Sequence, residues 1–97
     1  MKKYAFFAQL KPKPGKEKEL EDFIAQGDIH TKEDKTILQS FSMKAEDGTY
    51  CLFDVFETAL ARSEHFEGET AKKLAAVTAS LLAEQPRVQL LEILRQK

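Results

Sequence analysis

The stretch FDVFETALARSEHF, residues 53–66, decides the fold, because a strand, a helix cap and a helix follow one another directly in it. Its first half is apolar and rich in β-formers, which predicts a buried strand. Thr58 belongs to the residue types that cap helices, so a helix is predicted over residues 59–66. Asp54 lies in the strand, and His65 follows about two helical turns after the junction. An acid and a histidine are therefore predicted close to one strand–helix junction.

Hydrophobic periodicity and breaker residues define the other elements on either side of this stretch. Asp47-Gly48 is typical of a tight turn and predicts an antiparallel hairpin. Gly68 is expected to break or kink the second helical region, and Pro86 to end it. The first helix is expected to continue through Gly27 to about residue 33, and His30 on it is interpreted as an exposed surface histidine. Strands are predicted over 4–11, 37–44, 49–57 and 88–94, and helices over 16–33, 59–66 and 69–84.

The order of these elements is β-α-β-β-α-β, the split βαβ or ferredoxin-like pattern of the α+β class. It predicts a four-stranded antiparallel sheet with two helices on one face. The 97 residues are expected to form a single domain over 1–97.

The predicted strands are apolar on both faces, which is unusual for a sheet with one solvated side. In strand three, Leu52 and Phe56 share one face while Phe53 and Val55 share the other. Two helices cover only one face, so the second face needs another partner. We therefore expect a homodimer that packs sheet against sheet. The alternative is a monomer with a few scattered exposed apolar residues.

Composition excludes several classes of protein. The formal net charge is −1, so no overall field favours nucleic acid or an anionic membrane. No apolar run approaches the roughly 20 residues of a membrane span. A single cysteine excludes an internal disulfide and a cysteine-based zinc site. Cytoplasm is the expected location.

Several segments together resemble the antibiotic biosynthesis monooxygenase domain, of the dimeric α+β barrel superfamily. The turn at 11–16, the segment 31–34 and the run Asp54-Val-Phe56-Glu57 followed by His65 match the family's pattern. The resemblance covers nearly the whole chain and implies a dimeric α+β barrel. It also implies cofactor-independent oxidation of a small planar quinol or other aromatic substrate.

The chain also departs from that family. Phe56 stands where members commonly have Trp or Tyr, and the chain has neither Asn nor Trp. Haem degradation by the family's Asn and Trp is therefore not expected. Two alternatives stay open: a non-catalytic dimeric domain that binds small molecules or serves in stress, and an acid–base isomerase of the same fold.

The candidate site is centred on His65 and Asp54, predicted as the catalytic residues. Burial among apolar neighbours would raise the pKa of the Asp54 carboxyl, and an imidazole ordinarily titrates near neutral pH. Such a pair could take a proton from a phenol or quinol, or drive an enolisation. The structural alternative is that either side chain caps a helix or bonds to backbone in a packed core. No cofactor and no metal are predicted, and the predicted substrate-binding residues are Phe56, Phe6, Phe41 and Phe66.

Overall fold

A four-stranded antiparallel sheet carries three helices on one face in the computed structural model, which describes residues 3–25 and 36–97. The order across the sheet is β2-β3-β1-β4, so β1 and β3 are the central strands. The predicted ferredoxin-like α+β fold is confirmed. The strands are β1 (Lys3–Leu10), β2 (Ile37–Lys44), β3 (Tyr50–Phe56) and β4 (Arg87–Ile93), and the helices are α1 (Glu17–Ala25), α2 (Ala59–Glu67) and α3 (Glu69–Leu81).

Strand register assigns the two faces of the sheet. Phe6 pairs with Asp54 and Leu10 with Tyr50, and residues directly opposite one another share a face. These side chains belong to the helix-side face, where the core forms against the apolar stripes of α1 and α3. The buried residues of that core are Phe6, Ala8, Leu10, Leu20, Ile24, Tyr50, Leu52, Phe56, Leu74, Val77, Leu81 and Leu82.

The predicted hairpin turn between β2 and β3 is present. Gly48 has a φ of +90°, a conformation that favours glycine, and the Thr49 amide donates to the Asp47 carboxylate at 2.9 Å. That backbone hydrogen bond holds the pKa of Asp47 below its usual value. The turn sets Lys44 opposite Tyr50, and the pairing continues in step as far as Ser40 opposite Asp54, before a β-bulge between Ile37 and Gln39 shifts the register.

Helix α1 is joined to the hairpin by polar contacts. The Tyr50 hydroxyl donates to Glu21 at 3.0 Å, and the Lys44 ammonium lies 3.4 Å from the same carboxylate. The Tyr50 hydrogen bond, followed by the Lys44 contacts, lowers the pKa of Glu21. The predicted continuation of this helix to residue 33, with His30 and the segment 31–34, lies outside the described residues.

The second helical region breaks at Gly68 as predicted, and the Thr58 hydroxyl caps α2 by accepting from the Ala61 amide at 3.0 Å. The predicted end of the last helix at residue 84 is wrong. Helix α3 ends at Leu81, because Leu82 is extended and forms a bridge with Pro12. The chain is thus held against the segment after β1, and Pro86 does not end the helix.

The other face of the sheet, called here the open face, is apolar. Phe41 and Met43 are 47% and 43% exposed, and Phe7 and Phe53 are half-buried. No helix in the described part of the chain is long and apolar enough to cross a bilayer.

Candidate functional site

Asp54 and His65 come together under α2, on the helix-side face. Asp54 is in the middle of β3 and His65 is in the last turn of α2, and both side chains are almost fully buried. His65 Nε2 lies 3.8 Å from Asp54 Oδ2. This distance is within ion-pair range but too long for a direct hydrogen bond between these two atoms. The geometry is that of a base beside a carboxylate able to stabilise its protonated form.

Ser40 is a third member of the site that the sequence interpretation missed. Its hydroxyl donates to Asp54 Oδ1 at 2.6 Å, at the short end of the range for O–H···O hydrogen bonds. Ser40 lies directly opposite Asp54 in the β2–β3 pairing. The Asp-Gly turn could have revealed this, because counting back from that turn places the two residues side by side. Ser40 and His65 therefore contact different oxygens of one carboxylate.

Aromatic rings surround this group on the helix-side face. The Phe56 ring centroid is 5.2 Å from that of the His65 imidazole, and the Phe6 and Phe66 centroids are 5.1 Å apart. Phe6 and Phe56 are 2% and 0% exposed. Three of the four predicted substrate-binding residues thus lie in the core around the pair.

Phe41 does not join this group. It is opposite Phe53 in the hairpin, one residue out of phase with the Ser40–Asp54 pair, so it points to the open face. The sheet separates its ring from His65, and this placement does not support a substrate contact shared with the histidine.

One concave surface lined by described residues lies away from the pair of Asp54 and His65. An open groove of about 610 Å³ runs along the far end of β1, between the β2–β3 turn and the start of β4. Asp54, Phe56 and His65 do not line this groove. Within the described ranges, no group of three or more His, Cys, Asp or Glu side chains is arranged to hold a metal ion.

The Ser40 hydrogen bond can be tested by stability. Ser40→Ala should lower the free energy of unfolding by about 1.5–3 kcal/mol, because it removes a bond to a buried charged group. Ser42→Ala is a matched control on the same face of the same strand, opposite Leu52, and should change stability by less than about 0.5 kcal/mol. Urea unfolding followed by circular dichroism measures both. Equal effects of the two substitutions would contradict a special role of Ser40.

Comparison with solved structures identifies relatives of the whole chain. A Nitrosomonas europaea protein of unknown function has 33% sequence identity and a TM-score of 0.90, over 100% of this chain and 94% of that one. A candidate antibiotic biosynthesis monooxygenase from Caulobacter crescentus has 19% identity and a TM-score of 0.78, over 96% and 91% of the two chains.

A further candidate monooxygenase, from Bordetella bronchiseptica, has 17% identity and a TM-score of 0.76, over 100% of this chain and 98% of the other. No family model matches the sequence, and no curated protein does either. At under 25% identity the two monooxygenase candidates show a shared fold. The chain therefore belongs to the family of the Nitrosomonas europaea protein, and it shares its fold with the two candidate antibiotic biosynthesis monooxygenases.

Proposed function

We propose that the protein is a cofactor-independent oxidoreductase of the monooxygenase type, acting on a small planar quinol or anthrone-like aromatic. The observation that carries the proposal is the buried pair of His65 and Asp54, 3.8 Å apart on the helix-side face. The fold shared with two candidate monooxygenases supports the same reaction class.

In the proposed reaction His65 acts as the base. Its imidazole takes a proton from the substrate's hydroxyl or activated carbon, and the Asp54 carboxylate stabilises the imidazolium that forms. Ser40 holds the second oxygen of that carboxylate, which fixes its orientation toward the histidine. The apolar rings around the pair strengthen this interaction, because charges attract more strongly where water is excluded.

Proton removal leaves an electron-rich anion that can reduce molecular oxygen without another reductant. With an anthrone, the activated CH₂ carbon bonds to one oxygen atom and forms a peroxide. Cleavage of the O–O bond leaves a carbonyl at that carbon and releases the second oxygen as water. The two hydrogens of that water come from the CH₂ group, so substrate and O₂ account for all atoms and electrons.

The aromatic substrate is proposed to bind beside the pair of His65 and Asp54, in contact with the rings of Phe56, Phe6 and Phe66. Flat rings pack well against such side chains in offset or tilted arrangements. Phe6 and Phe56 are closed to solvent, so substrate entry requires these rings or the neighbouring α2 to shift. A lid or loop motion of this kind is common in small-molecule enzymes.

The burial of Phe6 and Phe56 also supports a second candidate function, that of a non-catalytic dimeric domain. In that case His65 and Asp54 form a buried structural ion pair, and the packed rings form part of an ordinary core. The two candidates differ in whether the histidine ever contacts a substrate.

We also propose a homodimer formed through the open face. Phe41, Met43, Phe53 and their neighbours present an apolar surface of the kind that marks protein interfaces. Covering it with the same face of a second copy gives an isologous, two-fold interface. A cytoplasmic location stays a prediction.

Oxygen uptake tests the catalytic proposal. The wild-type protein should consume oxygen with anthrone or menadiol as substrate, and His65→Gln should lower the rate by a factor of about 10²–10⁴. The physical reason is the loss of the base that forms the reactive anion. A Clark electrode or optical oxygen sensor measures the rate directly.

The only other histidine of the chain offers a matched control, and His30→Gln should leave the rate unchanged. Circular dichroism of each variant separates lost folding from lost catalysis. A folded His65→Gln protein that consumes oxygen as fast as the wild type would contradict the catalytic proposal. Absence of oxygen uptake by the wild type with both substrates would favour the non-catalytic domain.

Sedimentation velocity tests the dimer. The wild-type protein should sediment as a dimer at micromolar concentration, and Phe41→Glu should shift it to the monomer by placing a charge in the apolar interface. Leu60→Glu is the control, because Leu60 is 68% exposed on α2 and away from the open face. A wild-type monomer, or a Phe41→Glu protein that stays dimeric, is the contrary result.

A further inference from the structure

The two edge strands of the sheet are protected to different degrees. Strand β2 has a β-bulge between Ile37 and Gln39 and ends at Lys44, and both features hinder the addition of another strand. Strand β4 pairs with β1 over all of its seven residues without a register shift. It contains neither lysine nor proline, and its charged residues, Arg87 and Glu92, lie toward its two ends. Among the described residues, no strand pairs with its outer edge. The outer edge of β4 is therefore a regular template on which a further strand can pair.

Apolar side chains accompany this unpaired edge. Val88 and Leu90 lie on the helix-side face, because they pair with Ala8 and Phe6 of β1. Those two partners are buried, yet Val88 and Leu90 are 37% and 57% exposed. Arg62 of α2 donates to one backbone carbonyl of β4 at 2.8 Å and to one of β1 at 3.3 Å, which holds α2 over the seam between these strands. The edge of β4 thus offers both unpaired backbone groups and apolar surface.

A second copy of β4 matches this edge. An antiparallel strand pair related by a two-fold axis perpendicular to the sheet keeps equivalent faces on the same side. When Gln89 is opposite Gln89 of the second copy, Val88 is opposite Leu90 on the helix-side face, and the symmetry makes this contact twice. On the other face Arg87 is opposite Leu91. In this register apolar side chains meet on the helix side, and no two like charges are directly opposite one another.

We propose that β4 is a second self-association surface, through which two copies of the chain pair edge to edge. Their two four-stranded sheets then join into one continuous antiparallel sheet. Backbone hydrogen bonds along the edge hold the copies together, as in other cases of strand addition, and the contacts of Val88 with Leu90 cover the exposed apolar side chains. This contact uses the edge of the sheet, so each copy can form it together with the proposed open-face dimer.

The size of this contact sets its expected strength. A pair of seven-residue strands buries less surface than a whole sheet face, so the edge contact should belong to the small, weak class of interfaces. It should therefore form at higher protein concentration than the open-face dimer.

Sedimentation equilibrium of the Phe41→Glu protein isolates the edge contact, because that substitution is designed to remove the open-face dimer. Its average mass should rise from the monomer toward the dimer between about 20 μM and about 1 mM. Leu90→Lys in the same background should weaken this pairing at least about tenfold, because it replaces an apolar contact with a charge. Leu60→Lys, at the 68% exposed leucine of α2, is the matched control and should leave the pairing unchanged.

Amide hydrogen exchange of the wild-type protein tests the backbone part of the contact. The amides of β4 that do not bond to β1 should exchange at least about tenfold more slowly at about 1 mM than at about 20 μM. The outward-facing amides of β2 are the internal control and should exchange equally fast at both concentrations. This measurement decides the question even if Phe41→Glu does not fold or stays dimeric.

Three results would overturn the proposal. The first is exchange of the outward-facing β4 amides that does not depend on protein concentration. The second is concentration-dependent protection of the β2 amides instead, which would place the contact on the other edge. The third is equal weakening by Leu60→Lys and Leu90→Lys, which would indicate association without a defined surface. Each can be distinguished from a failed oxygen assay, because none involves turnover.

Discussion

A carboxylate in the middle of a sheet is the constraint on which the arrangement of this domain depends. Asp54 is 5% exposed and lies on the face that packs against the helices. A charge in that position is costly unless hydrogen bonds and an opposite charge compensate it. Ser40 supplies the hydrogen bond from β2 and His65 the ionisable partner from α2. One side chain thus couples the hairpin register to the placement of a helix.

The second constraint is that the helices cover only part of the apolar surface of the sheet. Three helices cover the two central strands, where Phe6 and Phe56 are buried, but not the open face and not the helix side of β4. The uncovered open face is therefore where this protein is expected to meet a second copy of itself.

Local sequence rules predicted most of the fold, because its helices and strands depend on hydrophobic periodicity and on the residue types at turns and caps. The Asp47-Gly48 turn, the Thr58 cap and the break at Gly68 each act over a few residues, and all three are present. The end of α3 was mispredicted, because the Leu82–Pro12 bridge joins residues far apart in sequence. A helix that could continue locally is ended there by a tertiary contact.

The candidate site was only partly predictable. Counting residue pairs back from the Asp-Gly turn is enough to place Ser40 beside Asp54. The same count places Phe41 on the opposite face of the sheet. The separation of His65 from Asp54 depends instead on how α2 lies across the sheet, which no local pattern specifies. The position of Arg62 over two strand carbonyls depends on the same packing.

A crystal structure of the protein soaked with a planar aromatic ketone, such as anthraquinone, tests the central claim most directly. If His65 is the base, a ligand oxygen should lie about 2.6–3.2 Å from an imidazole nitrogen, with the rings of Phe56, Phe6 or Phe66 against the ligand. A ligand bound only on the open face, with Phe56 and His65 packed as they are in the free protein, would contradict the account. Buried pairing of His65 with Asp54 would then be a structural feature of the core.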